Sequence, residues 1–243
     1  MKTKNTKEKV RYLYQRAFTS VGLAVLFCAL ISCSSMDTSP KSLVIDKDRT
    51  SEYENLKQKL VDMESEVDIE SDIDFSAMRW AYRYSAYYEA WDTKEHEASL
   101  AMFNAFEDEN YSLCKQFASA ILKKNYTSIS GHLGSYNCSV ATGNSDTANF
   151  HRFVLSGLAK SIEQSGDGLS PATAYVTITP TEMRSFIQML GLTSFRQELT
   201  PTPGKYIERF YVIDMRTEEY KTLYFDNSAS LLKQVAPTLP SLN

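Results

Sequence analysis

The chain is short of the residues that most often announce chemistry. It has three histidines, His96, His132 and His151, and their separations match no metal-ligand spacing. It has nine glycines in 243 residues, and none forms a phosphate-binding Gly-Lys-Ser/Thr loop or a Gly-x-Ser-x-Gly nucleophile elbow. Its four cysteines, Cys28, Cys33, Cys114 and Cys138, make no Cys-x-x-Cys pair, which leaves a thiolate metal site without ligands. The longest apolar run, Val21 to Ile31, has eleven residues where a membrane-spanning helix needs roughly 20. Basic charge is outnumbered by acidic charge outside the first residues. Residues 1–32 carry six basic side chains against Glu8, a net of +5, so the rest carries −9 of the formal −4. An acidic body without clustered Lys and Arg is a poor binder of phosphate backbones, and no nucleic-acid partner is expected.

What is present begins with an address. A basic segment up to Arg16, then the short apolar run, has the layout of a secretory signal. Its end, Leu30-Ile31-Ser32-Cys33, resembles the bacterial lipobox, in which a small residue precedes a cysteine that becomes lipidated. The resemblance implies cleavage between Ser32 and Cys33 and acylation of Cys33, with several acyl chains giving stable membrane attachment. Cys28 follows the bulky Phe27 and does not fit that pattern. Position 34 is Ser and not Asp, which resembles a lipoprotein sorted to the outer membrane, most simply facing the periplasm. The layout that follows is a signal peptide (1–32), a lipidated N-terminus and tether (33–74), a helical region (75–165), a small α+β region (166–236) packed with the helices as one unit, and a tail (237–243). Within the tether, residues 51–63 suit a short helix with Tyr53, Leu56, Leu60 and Val61 on one face. The alternating acids Glu64 to Asp74 lack the glycine of a calcium loop.

Residues 75–106 are helical and aromatic-rich, with Phe75, Met78, Tyr82 and Ala86 at helical spacing and a break at Asp92-Thr93. The stripe is expected to be core. Asn110 to Cys114 align with Asn144 to Ala148 at an offset of 34 residues, the tetratricopeptide period. The expectation is a tetratricopeptide-like stack of antiparallel helices. A hairpin reversing near Asn125 and Tyr126 puts Cys114 level with Cys138. In an oxidising compartment these two could be joined as a disulfide; the alternative is two small core residues. After Ser165-Gly166-Asp167-Gly168, a turn, come a short strand (174–179), a helix (180–190), three strands (193–199, 206–215, 219–226) and a last helix (228–235). The fold class is therefore α+β, with a small, mostly antiparallel sheet and one packed helix.

Three segments together, 125–143, 150–192 and 222–228, look like the bacterial domain-of-unknown-function family 4919. The opening FSAMRWAYRYSAYYEAW is similar to that family's Arg-x-x-Tyr and Tyr-rich helix. The chain departs from the family pattern at Thr181 to Arg184 and at Lys205 to Glu208. The resemblance implies a fold and lipoprotein-type export, and no activity or cofactor.

Two functions remain at this point. One is a non-enzymatic outer-membrane lipoprotein that binds a protein or peptide, or assists envelope assembly. The other is a periplasmic hydrolase with a site between helices and sheet, drawing on His132, His151 and Asp167, with Ser165 beside them. A cleft uniting those side chains favours the second; separate buried hydrogen bonds favour the first.

Overall fold

In a computed structural model, the described residues are 46–65 and 72–231, with the backbone of strands β1 (Leu43–Val44) and β6 (Gln234–Val235). Cys33, the cleavage site, the signal segment and the 237–243 tail lie outside them. The chain is α+β: among the described residues, eight helices, mostly N-terminal, are followed by a four-stranded mixed sheet with a helix packed on it.

The first helix, α1 (Lys47–Ser65), runs through the segment assigned to the tether. Tyr53 and Leu60 are essentially inaccessible to solvent, and Leu56 and Val61 pack beside them. Burying a Leu or an aromatic is worth about 1.5–3 kcal/mol, so this stretch is part of the body and not a spacer. Helix α2 (Phe75–Tyr84) starts at an Asp74 N-cap and buries Phe75, Met78 and Tyr82. It stops two residues before Ala86, because Ser85 turns the chain and its hydroxyl donates back to the Tyr82 carbonyl at 2.8 Å. Ala86 is therefore exposed and not part of the stripe. Asp92 caps α3 (Thr93–Glu107), accepting from the backbone N–H groups of Lys94 and Glu95.

The 34-residue echo is a pair of equivalent caps. Asn110 caps α4 (Tyr111–Lys124) through the N–H of Leu113, and Asn144 caps α6 (Ser145–Glu163) through that of Thr147. Between them α5 (Ile129–Ala141) runs antiparallel to both. Cys114 and Cys138 are joined by a disulfide, with Cα atoms 6.5 Å apart, inside a small second core of Met102, Ala105, Ala118 and Ile121.

Gly168, at φ +68°, makes the turn after α6; a Cβ there would lie 2.3 Å from the Tyr175 ring. The strands are β2 (Tyr175–Val176), β3 (Leu192–Thr202), β4 (Lys205–Asp214) and β5 (Tyr220–Asp226), in the order β2-β5-β4-β3. Two pairings are antiparallel, and β2 joins β5 in parallel. Helix α7 (Pro180–Met189), capped by Thr179, lays Met183, Phe186 and Ile187 on Phe210, Val212, Leu223 and Phe225 of the inner sheet face. The final helix, α8 (Ser228–Leu231), is shorter than expected: Gln234–Val235 form a strand pairing in parallel with Leu43–Val44.

Candidate functional site

His132 and His151 meet inside the helical half. They sit on α5 and α6, with relative exposures of 0% and 4%. Their Nδ1 atoms are 2.9 Å apart, and His132 Nε2 lies 2.9 Å from the Tyr126 carbonyl oxygen. On the far side, His151 Nε2 faces Glu64 Oε1 at 3.6 Å. The Tyr126 hydroxyl donates to Glu64 Oε2 at 3.3 Å, and the Tyr126 N–H donates to the Tyr53 hydroxyl at 2.9 Å. Burial disfavours the imidazolium, pushing His132 down to about 3 and His151 down to about 4. Burial pushes the Glu64 carboxyl the other way, above its ordinary value, against the opposing pull of the Tyr126 hydroxyl.

Asp167 is not in this group. It is exposed in the turn after α6, where its Oδ1 accepts from the Leu169 N–H and the Thr173 hydroxyl. Those donors hold its carboxyl below the ordinary range. Ser165 is spent on backbone: its hydroxyl donates to the Ile162 carbonyl and accepts from the Val176 N–H at 2.8 Å. The serine, the aspartate and the histidines thus have separate partners. Among the described residues, no group of three or more His, Cys, Asp or Glu side chains is placed to hold a metal ion.

Two polar nodes were not paired from the sequence, although Arg79 opens its Arg-x-x-Tyr stretch. Arg79 of α2, 2% exposed, makes a bidentate pair with Glu182 of α7, 6% exposed, at 2.7 and 2.9 Å. Arg79 also donates to the Ser161 hydroxyl and the Val176 carbonyl, and Glu182 accepts from the Ile178 N–H. The available signal was a guanidinium at position 79, four residues after Phe75 and three before Tyr82, on the buried stripe itself. The second node is Glu95, which accepts from the Ser128 hydroxyl at 2.6 Å and the Asn125 amide at 3.3 Å. Burial pushes its carboxyl up. Glu95, Ser128, Thr179, Glu182 and Ser185 line a cavity of about 10 Å³, room for about one water and no substrate.

The outer face of the sheet displays aromatic rings and arginines to solvent. Phe195 and Tyr220 are 56% and 72% exposed, with ring centroids 5.7 Å apart. Phe195 is the extra residue of a bulge between Ser194 and Arg196, which turns its ring toward Tyr211 at 6.3 Å. Arg196 and Arg209 lie over the Tyr211 ring at 5.1 and 5.2 Å, and both pair with Glu198.

These features define an α+β domain in which capped helical hairpins close against a helix-backed sheet, with the His132–His151 pair and the Arg79–Glu182 pair buried and Phe195 and Tyr220 displayed on the open sheet face. The chain belongs to the family described as domain of unknown function (DUF4919), whose model matches residues 41–235. That match begins before α1, in keeping with α1 as part of the domain. No curated protein and no solved structure matches the chain.

Proposed function

We propose that this protein is a bacterial lipoprotein, anchored through Cys33 in the outer membrane and facing the periplasm, that works without catalysis as a binding module for a protein or peptide. The observation that carries the binding role is the open sheet face with Phe195, Tyr211 and Tyr220. Exposed aromatics interleaved with arginine are the composition of interface centres and are uncommon on surfaces that stay in water. Export has its own support. The Cys114–Cys138 disulfide suits an oxidising compartment, and Ser32-Cys33 resembles a lipobox. The hydrolase alternative asked for one cleft uniting His132, His151 and Asp167; the two histidines bond to each other inside the helices, and Asp167 is held apart in an exposed turn.

The test is site-specific photocrosslinking in intact cell envelopes. A crosslinker replacing Tyr220 is expected to give a discrete protein adduct. One replacing Val140, 55% exposed on α5, is expected to give none. Phe195→Glu should abolish the adduct without changing thermal stability, since Phe195 is open to water. Equal labelling from both positions, or an adduct indifferent to Phe195→Glu, overturns the reading.

A further inference from the structure

The hydrogen-bond roles in the histidine pair can be worked out from one end. A carbonyl oxygen only accepts, so His132 Nε2, 2.9 Å from the Tyr126 oxygen, carries a hydrogen. His132 is completely buried and uncharged, so its Nδ1 is bare and must accept. The donor 2.9 Å away is His151 Nδ1, which therefore carries the hydrogen of that ring. Neutral His151 is then bare at Nε2, and this lone pair points at Glu64 Oε1, 3.6 Å away. The other carboxylate oxygen already accepts from the Tyr126 hydroxyl. An imine lone pair and a carboxylate oxygen repel, and the contact lacks one proton to become a hydrogen bond. Glu64 also sits in the last turn of α1, where no basic side chain offsets the negative end of the helix dipole. The titratable groups bonded to the pair are His132 from α5, on His151, and Tyr126 from the α4–α5 loop, on Glu64.

We propose that Glu64 and His151 form a one-proton clamp that fastens the C-terminal turn of α1 to α6 in mild acid and loosens it at neutral and higher pH. One proton taken from water fills the gap between Nε2 and Oε1. Whether it rests on the carboxyl or on the imidazole, the pair passes from −1 to 0 and gains one hydrogen bond. His132 keeps its tautomer throughout, because its two bonds use both ring nitrogens. The clamp is independent of what the sheet face binds.

The chain has three histidines, so nitrogen-15 NMR of the histidine-labelled full-length protein in detergent micelles reads each ring separately. At pH 7.5, His132 is expected protonated only at Nε2 and His151 only at Nδ1. On going to pH 5, the His151 Nε2 resonance leaves the bare-nitrogen position while His132 stays still. Backbone protection factors at residues 61–65 rise about fivefold, the worth of one net hydrogen bond. Glu64→Gln supplies a permanent donor: protection is already high at pH 7.5 and is flat down to pH 5. Glu64→Ala removes the contact: protection is low at both pH values, with the unchanged His132 tautomer reporting an intact fold. A hydrogen on His151 Nε2 at pH 7.5, or a wild-type pH response in Glu64→Gln, overturns the clamp.

Discussion

Removing the carboxylate of Glu182 should be among the most damaging single changes in this chain. Glu182→Leu deletes both ionic hydrogen bonds to Arg79, at 2.7 and 2.9 Å, and the acceptor of the Ile178 N–H. Arg79, 2% exposed, keeps only the Ser161 hydroxyl and the Val176 carbonyl. Neither carries the countercharge a buried guanidinium needs. Breaking one side of a buried pair typically costs about 3–5 kcal/mol. For a domain of this size that corresponds to a fall in Tm of roughly 10 °C or more. Urea unfolding with the disulfide intact gives the free energy, provided the slope with denaturant stays at the wild-type value. The double variant Arg79→Met/Glu182→Leu is the control. It removes the stranded charge, although the Val176 carbonyl and Ile178 N–H lose their partners. It is expected to be at least 1 kcal/mol more stable than Glu182→Leu alone, consistent with an unpaired buried polar group costing about 1–3 kcal/mol and an unpaired buried charge more. A loss under about 1 kcal/mol in the single variant, or a double variant less stable than the single, would show that the pair is not the buried, mutually dependent unit described above.

Other outcomes follow from the same packing. Reducing the Cys114–Cys138 disulfide, which spans 24 positions, should cost about 3–4 kcal/mol by loop-closure entropy, read as a lower urea midpoint with reductant. Gly157→Ala places a Cβ 2.1 Å from the Phe75 ring; overpacking of about 1–3 kcal/mol should outweigh the gain in helix propensity and lower Tm. The histidine pair ties stability to pH with a definite sign. Both rings are neutral when folded, His132 down to about 3 and His151 down to about 4, whereas an unfolded histidine protonates near 6.5. Their contribution is full above about pH 6.5 and is lost as pH falls below it. The proton taken up by the clamp softens this loss, so Glu64→Gln should lose stability more steeply between pH 6 and 4. Cys33→Ala should abolish metabolic labelling with palmitate and release the protein from the membrane fraction; retained label would refute anchoring at Cys33.

The parts of the fold that were legible in the sequence are those fixed by local contacts. Asn110 and Asn144 announce their helices because a cap is decided within three residues. The level of Cys138 opposite Cys114 follows from hairpin geometry alone. The runs at 206–215 and 219–226 show themselves through β-branched and aromatic residues. What escaped depends on distant partners. The first turn of α1, Lys47 to Thr50, is polar, and it is helical because later turns of the same helix are held by burial of Tyr53 and Leu60. Strand β3 continues past 199 through Pro201, tolerated because β3 is an edge strand. The parallel joining of β2 to β5, and of Leu43–Val44 to Gln234–Val235, has no local signature at all. The same holds for the candidate site. Three histidines could be counted, but only the fold shows that two of them touch, that Asp167 does not join them, and that Glu64 does.

The buried polar groups explain why the helical and α+β regions behave as one body. Arg79 reaches from α2 to α6, β2 and α7 in a single cluster. The Tyr88 hydroxyl, in the loop before α3, donates to the Ile178 carbonyl, and Arg83 of α2 donates to the Ala229 carbonyl of α8. Apart from the bond from Arg79 to Ser161, each of these joins a residue before the Ser165-Gly166 turn to one after it, and all are at least partly shielded from water. Separating the two regions would expose or strand every one of these donors, whereas sliding one apolar surface over another costs little. The polar contacts therefore fix the angle at which the sheet meets the helices. That fixed angle keeps the inner sheet face closed by α7 and leaves the aromatic outer face open, so a rigid body presents a rigid surface. Under the proposed binding role, a partner docking on Phe195 and Tyr220 would meet a platform already ordered, with the entropy of arranging it spent in folding.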